Sequence, residues 1–157
     1  MRGKRAPVRK ILPDVKFSSV ELHRFINQVM KSGKKTIAQK IVYGAFDLIK
    51  DKLEKEPLQV FEEAIKKVSP QMEVRTRRIG GAHYQIPFPV RGVRQNTLAY
   101  RWIIKAAKER KGKPMREKLA EELMAAASGE GSAIKKREDV HKMAESNKAF
   151  AHFAKFG

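Results

Sequence analysis

The stretch MEVRTRRIGGAHYQIPFPV, Met72 to Val90, decides how the rest of the chain reads. Met72, Val74 and Thr76 alternate with Glu73, Arg75 and Arg77, the two-residue period of a strand with unlike faces. Gly80-Gly81 follows, and glycine enters positive φ freely, so the pair reads as a hairpin turn. In the return strand Tyr84, Ile86, Phe88 and Val90 share one face, with His83, Gln85, Pro87 and Pro89 on the other. The prolines donate no ladder hydrogen bonds, which argues against a third strand along that edge. A two-stranded ribbon alone is marginal in water. Its base is therefore expected to lean on helices through Met72, Val74, Phe88 and Val90 while its tip projects.

The tip carries Arg75, Arg77, Arg78, Gly80, Gly81, His83 and Tyr84. Guanidinium forks suit phosphate, and planar side chains suit stacking on unpaired bases. Glycines let backbone amides approach phosphate closely. A hairpin carrying arginines for solubility alone is the plainer reading. Three arginines within four residues, next to a glycine turn, favour a nucleic-acid contact.

Around the ribbon the pattern is helical. Ser18 and Glu21 have the spacing of a capping box and precede Leu22, Phe25, Ile26, Val29 and Met30, with Gly33 as a stop. Thr36 and Gln39 repeat that spacing ahead of Ile37, Ile41, Ala45, Phe46, Ile49 and Leu53. Pro57 opens a third helix with Leu58, Phe61, Ile65 and Val68 on one face, closed by Ser69-Pro70. A fourth is expected from Leu98 to about Lys111, with Asn96 as its cap. Pro114 begins a fifth, and Ser132 caps a last helix reaching Asn147. The expected fold is an all-α body of about six helices with a protruding two-stranded antiparallel β-ribbon. Residues 1–17 read as a flexible basic tail, 18–149 as a single RNA-binding helical domain with its arm at 72–90, and 150–157 as an aromatic tail. Phe150, Phe153 and Phe156 either extend the last helix or leave it.

Lys and Arg number 35 against 17 Asp and Glu, a net charge of +18 in 157 residues. Small soluble domains typically carry a magnitude of roughly 2–8, so a polyanionic partner is implied. The excess is segregated. Met1 to Lys16 holds Arg2, Lys4, Arg5, Arg9, Lys10 and Lys16 against Asp14 alone. Arg91 and Arg94 continue the ribbon's charge. Arg101, Lys105 and Lys108 lie near one helical stripe, and Lys111 and Lys113 extend past its end. Lys135, Lys136 and Arg137 open the last helix, with Lys142 further on, and Lys34 and Lys35 sit between the first two helices. Between 47 and 63 the sign reverses. One such run would read as a solvated face; several together point to phosphate.

Chemistry of other kinds finds little support. There are no cysteines, and His23, His83, His141 and His152 lack metal-ligand spacing. Gly33-Lys34-Lys35-Thr36 resembles the end of a phosphate-binding loop, but Gln28 replaces its first glycine and Lys35 its Ser or Thr. His141 and Glu145 share a helical face, as surface pairs commonly do. No catalytic residue, metal or cofactor is expected. No apolar run reaches the length of about 18 residues that a membrane span requires, and no apolar segment follows the charged N-terminus, so a cytoplasmic protein with no membrane partner is expected. Zinc-finger spacing and a basic region before heptads are both missing. A tail, an arginine ribbon and separated patches suit an irregular folded RNA. An architectural DNA-binding protein is the alternative.

Four segments carry a resemblance: GKKTIAQKIVY from Gly33, MEVRTRRIGGAHYQIP from Met72, LAYRW from Leu98 and IKKREDVHKMAESNKAFAH from Ile134. Together they make the chain, from about Pro13 to His152, similar to the bacterial form of the seventh small-subunit ribosomal protein family. The resemblance implies a six-helix body with a long β-ribbon arm that binds the three-prime major domain of small-subunit ribosomal RNA and starts assembly of the subunit head. It implies a ribbon and last helix beside the exit-site tRNA and the mRNA path, and a C-terminal region next to the eleventh small-subunit protein. Some members also repress their own messenger RNA, a role the resemblance raises for this chain. By position, Arg75, Arg77, Arg78, Gly80 and Gly81 carry over as ribbon contacts, Lys34 and Lys35 as RNA-facing, and Lys135, Lys136 and Arg137 as the basic start of the last helix. His83 departs from the family's asparagine, and the ending Ala154-Lys155-Phe156-Gly157 departs from one closed by tryptophan.

Overall fold

The computed structural model describes Gly3, Ala6, Pro7 and residues 10–155, with backbone only at 154 and 155. Arg2, Lys4, Arg5, Arg9 and Phe156 lie outside the described residues. Contacts divide the chain into two units, Met1–Lys40 and Ile41–Gly157.

In the first unit, where an extended tail is expected, Asp14 to Ser19 closes a turn. Asp14 is 4% exposed, and its Oδ2 accepts the N–H groups of Lys16 and Phe17 at 3.1 and 3.2 Å. Ser18, the expected cap, adopts φ +51° within this turn. The cap is instead Ser19, whose Oγ accepts the Leu22 N–H at 3.3 Å and starts α1 (Val20–Val29). Leu22, Phe25 and Ile26 of α1 are buried, as the apolar stripe implies. The next helix, α2 (Lys35–Leu53), begins before Thr36, so that residue is not its cap. From Ile41 onward α2 belongs to the second unit.

The second unit continues with α3 (Pro57–Val68), β1 (Met72–Ile79), β2 (Ala82–Pro89), α4 (Val93–Glu109), α5 (Met115–Ser128) and α6 (Ser132–Ser146), then a 3₁₀ segment at Lys148–Lys155. Pro57 occupies the first turn of α3, where its missing N–H costs nothing. Gly92, at φ +58°, turns the chain out of the ribbon and straight into α4. That helix therefore starts earlier than expected, and Asn96 lies inside it instead of capping it. Ser132 is likewise the first residue of α6, with Gly131 in the cap position at φ +98°.

α5 packs on α3 and α4, and α6 touches α3, α4, α5 and both strands. Phe46 of α2 meets Phe61 of α3 at a 5.9 Å centroid distance, and Phe61 stacks on Tyr100 of α4 at 6.4 Å. Ile103 of α4 and Leu119 and Leu123 of α5 are fully buried too. Burying such large side chains contributes about 1.5–3 kcal/mol each, which is why the helices form despite the chain's charge.

Two strands form the only sheet among the described residues, antiparallel in the register Glu73–Phe88, Arg75–Ile86, Arg77–Tyr84 and Arg78–His83. Gly80 and Gly81 make the two-residue turn at φ +56° and +91°, which side chains with a Cβ adopt only at a cost. The expected division of faces needs correction. Met72, Val74 and Phe88 are only half-buried, whereas Glu73 is 6% exposed. Ile86 and Pro87 are adjacent, point to opposite faces, and are both buried. Both faces of the ribbon thus carry buried residues; α6 packs on both strands, and the 3₁₀ segment packs on β2.

Candidate nucleic-acid interface

The ribbon arginines differ in what holds them. Glu73 is the anchor at the base: its Oε1 pairs with the Arg75 guanidinium, and its Oε2 accepts Arg94 Nε at 3.1 Å and Nη2 at 2.9 Å. Arg75 and Arg77 also place their guanidinium carbons 5.2 Å from the Phe88 ring centroid, within cation–π range. Arg78 is exposed beside the turn, and with Arg77, Ile79 and Phe153 it lines an open cavity of about 550 Å³. His83, opposite Arg78, is exposed too.

Tyr84 is not a free stacking platform. Phe150 and Phe153 of the 3₁₀ segment lie 5.3 and 5.6 Å from its ring, so the terminal aromatics neither extend α6 nor leave the body. They fold onto β2. The apolar faces of that segment and of Tyr84 meet because each would otherwise face water.

Helices α4 and α6 bring together two clusters that are far apart in sequence. Lys105, Lys135 and Lys136 line one groove of about 200 Å³ with Trp102, Glu109 and Asp139. Its acids temper the charge, and Lys105 pairs with Glu109 at 3.8 Å. Arg101, Lys108, Lys111 and Lys142 are exposed, as is Arg91. Lys113 is engaged with Glu121, whose carboxyl that hydrogen bond holds below its usual range, with the charges of Lys113, Arg110 and Lys52 adding to the effect. Arg137, at the basic start of α6, donates to the Lys67 carbonyl at the end of α3 and pairs with Glu138. In the first unit Lys10 and Lys34 are exposed, while Lys35 is half-buried with its Nζ 2.9 Å from His23 Nε2.

Among the described residues no group of His, Cys, Asp and Glu could hold a metal ion, and no helix is long and apolar enough to cross a membrane. The family model for ribosomal protein S7p/S5e matches residues 1–148. The chain belongs to this family. It is 58% identical to the small ribosomal subunit protein uS7 of Thermotoga neapolitana over 153 residues, covering 98% of this chain and 99% of that one. It is 57% identical to the protein of that name from Thermotoga maritima over the same shares. The Polynucleobacter necessarius protein is 54% identical over 97% of both chains. Membership makes this an RNA-binding ribosomal component of the translation apparatus, structural and not enzymatic.

Four residues organise this S7-family surface in roles that the sequence did not assign to them: Glu122, Gly131, His141 and Glu73. Glu122 is fully buried; its Oε2 accepts Arg110 Nε and Nη2 at 3.0 and 2.7 Å, and its Oε1 accepts the Ala133 N–H at 2.9 Å. It thereby caps α6 from α5 and fixes where Lys135 and Lys136 stand. Gly131 suits the place: its φ of +98° strains residues with a Cβ, and a Cβ would lie 3.0 Å from Glu122 Oε1 and 3.2 Å from Ala125 Cβ. His141 accepts the Gln71 N–H at 3.1 Å, tying α6 to the foot of β1; burial, with Arg137 nearby, lowers its pKa. Glu73 alone left a trace in the sequence, as the single acid in a run of arginines.

Proposed function

We propose that this chain is a multi-point clamp on the three-prime major domain of small-subunit ribosomal RNA, one that starts assembly of the subunit head. Support comes first from the groove where α4 and α6 bring Lys105, Lys135 and Lys136 together. Rigid helices hold those cations at fixed spacing, so binding favours the RNA arrangement whose phosphates match it. Phosphate contacts supply salt-sensitive affinity, and shape with exposed bases supplies selectivity. On this reading the ribbon tip and α6 lie by the exit-site tRNA and mRNA, the C-terminal region meets the eleventh small-subunit protein, and the protein works in the cytoplasm. Repression of its own message would use the same cations on an RNA that imitates the ribosomal site. The domain reading, one RNA-binding body at 18–149 that carries the arm at 72–90, with the basic run 1–17 before it in sequence and the aromatic stretch 150–157 after it, belongs to this proposal.

The test is binding to a head-domain RNA fragment across a salt series. Because Arg75 shares Glu73 with Arg94 and its loss would also disturb that trio, the neutralisations that test the clamp are Arg77→Gln with Arg78→Gln, and Lys135→Gln with Lys136→Gln. Each pair should weaken binding and flatten the plot of log affinity against log salt by roughly 1.4–1.8 if both charges meet phosphate. Unchanged affinity and slope in both pairs would reject the clamp. Preference for duplex DNA in competition would favour the architectural alternative.

A further inference from the structure

Glu73 is the sole acid between Met72 and Val90, and the fold buries it beneath two arginines. A carboxylate placed there for net charge would sit in solvent. Instead both its oxygens are occupied, Oε1 by Arg75 and Oε2 by Arg94 at 2.9 Å, so one residue joins β1 to the first turn of α4. The arginine side chains nevertheless remain 52% and 47% exposed. Each guanidinium has five N–H donors in a fixed plane, and Glu73 engages only part of each set. Phe88 further restricts Arg75 by cation–π contact. The result is two forks held on one carboxylate, with donors left over and one net positive charge between them.

Stability alone is a weak explanation for the trio, since buried ion pairs often contribute no more than apolar residues of equal volume. Arginine forks with spare donors are matched to the paired oxygens of a phosphodiester. We propose that Arg75 and Arg94 form a phosphodiester-binding fork for RNA, and that Glu73 is the positioning residue that aligns it. This rests on the clamp reading above and assigns one of its contacts.

The sign of one substitution separates alignment from simple charge. Glu73→Gln removes a negative charge from the ribbon, so a loose cation patch would bind RNA more tightly and with a steeper salt slope. An aligned fork loses its geometry and binds on the order of tenfold more weakly, the loss of a charge-assisted contact. Arg94→Lys keeps the charge but not the planar fork, and should also weaken binding by about tenfold. Both are measured on the full chain with the head-domain RNA fragment, after circular dichroism verifies folding. If Glu73→Gln does not fold, Arg94→Lys decides. Binding by Glu73→Gln as tight as wild type or tighter, or wild-type binding by Arg94→Lys, overturns the fork. If those results come with a clear loss in the Arg77/Arg78 pair, the clamp stands and only the fork fails; if that pair and the Lys135/Lys136 pair are also silent, the clamp itself falls.

Discussion

Replacing Glu122 by alanine should be among the most damaging single changes in the helical body. The side chain is fully buried and makes three hydrogen bonds, two to Arg110 and one to the Ala133 N–H. Removing one partner of a buried ion pair costs about 3–5 kcal/mol. Arg110 is one-third exposed (33%) and keeps a 3.4 Å contact with Glu121, so part of its charge rehydrates and the lower figure applies. The orphaned Ala133 N–H, at the start of α6, is part of that loss. A destabilisation of about 3 kcal/mol corresponds to a fall in Tm of roughly 6–12 °C for a chain of this size. Urea denaturation is the suitable assay, because urea leaves ionic strength unchanged for so basic a protein. Glu122→Gln keeps the length and an acceptor for Ala133, so it should lie between alanine and wild type. A Glu122→Ala variant within about 1 kcal/mol of wild type would refute the reasoning.

Two further outcomes are expected. His141 has its pKa lowered from 6.5 by burial and Arg137, so the unfolded chain binds its proton more readily than the folded one. Stability from this residue is present above pH 6.5 and is lost as pH falls through the lower folded value, where the Gln71 N–H also loses its acceptor. Urea midpoints at several pH values should show this loss in wild type and a smaller one in His141→Gln; parallel curves would remove His141 as the cause. Phe153→Ala takes one aromatic partner from Tyr84. Hydrogen exchange should then show protection across Ala82–Gln85 reduced by about tenfold, as the loss of an aromatic pair and its buried area implies. Unchanged exchange would mean the 3₁₀ segment does not cover β2.

The parts of the fold that were readable in sequence share a local cause. The ribbon declared itself through a two-residue period and a glycine pair, both properties of adjacent residues. Helix interiors declared themselves through apolar stripes such as Phe61, Ile65 and Val68. Boundaries were harder where neighbours compete: Ser18 and Ser19 are both good caps, and the Asp14 turn decides for the second. The start of α4 was hidden because Val93 is 64% exposed and polar residues follow it, leaving no stripe. At the interface, types were legible and states were not. Sequence named Arg75, Arg94, Arg137 and Lys113 as cations, but their carboxylate and carbonyl partners are set by tertiary packing. Glu122 looks like an ordinary surface acid, and Glu73 is marked only as a lone acid among arginines, until the chain folds around them.

The placement of Phe150 and Phe153 on Tyr84 also orders events during synthesis. The hairpin can pair once Pro89 has left the exit tunnel, but its aromatic cover arrives far later in the chain. At about 5–20 residues per second that interval lasts seconds. A nascent chain therefore displays an uncovered Tyr84 beside its arginines before it owns the residues that hide it, and an RNA already waiting nearby would meet the arm in its more open form.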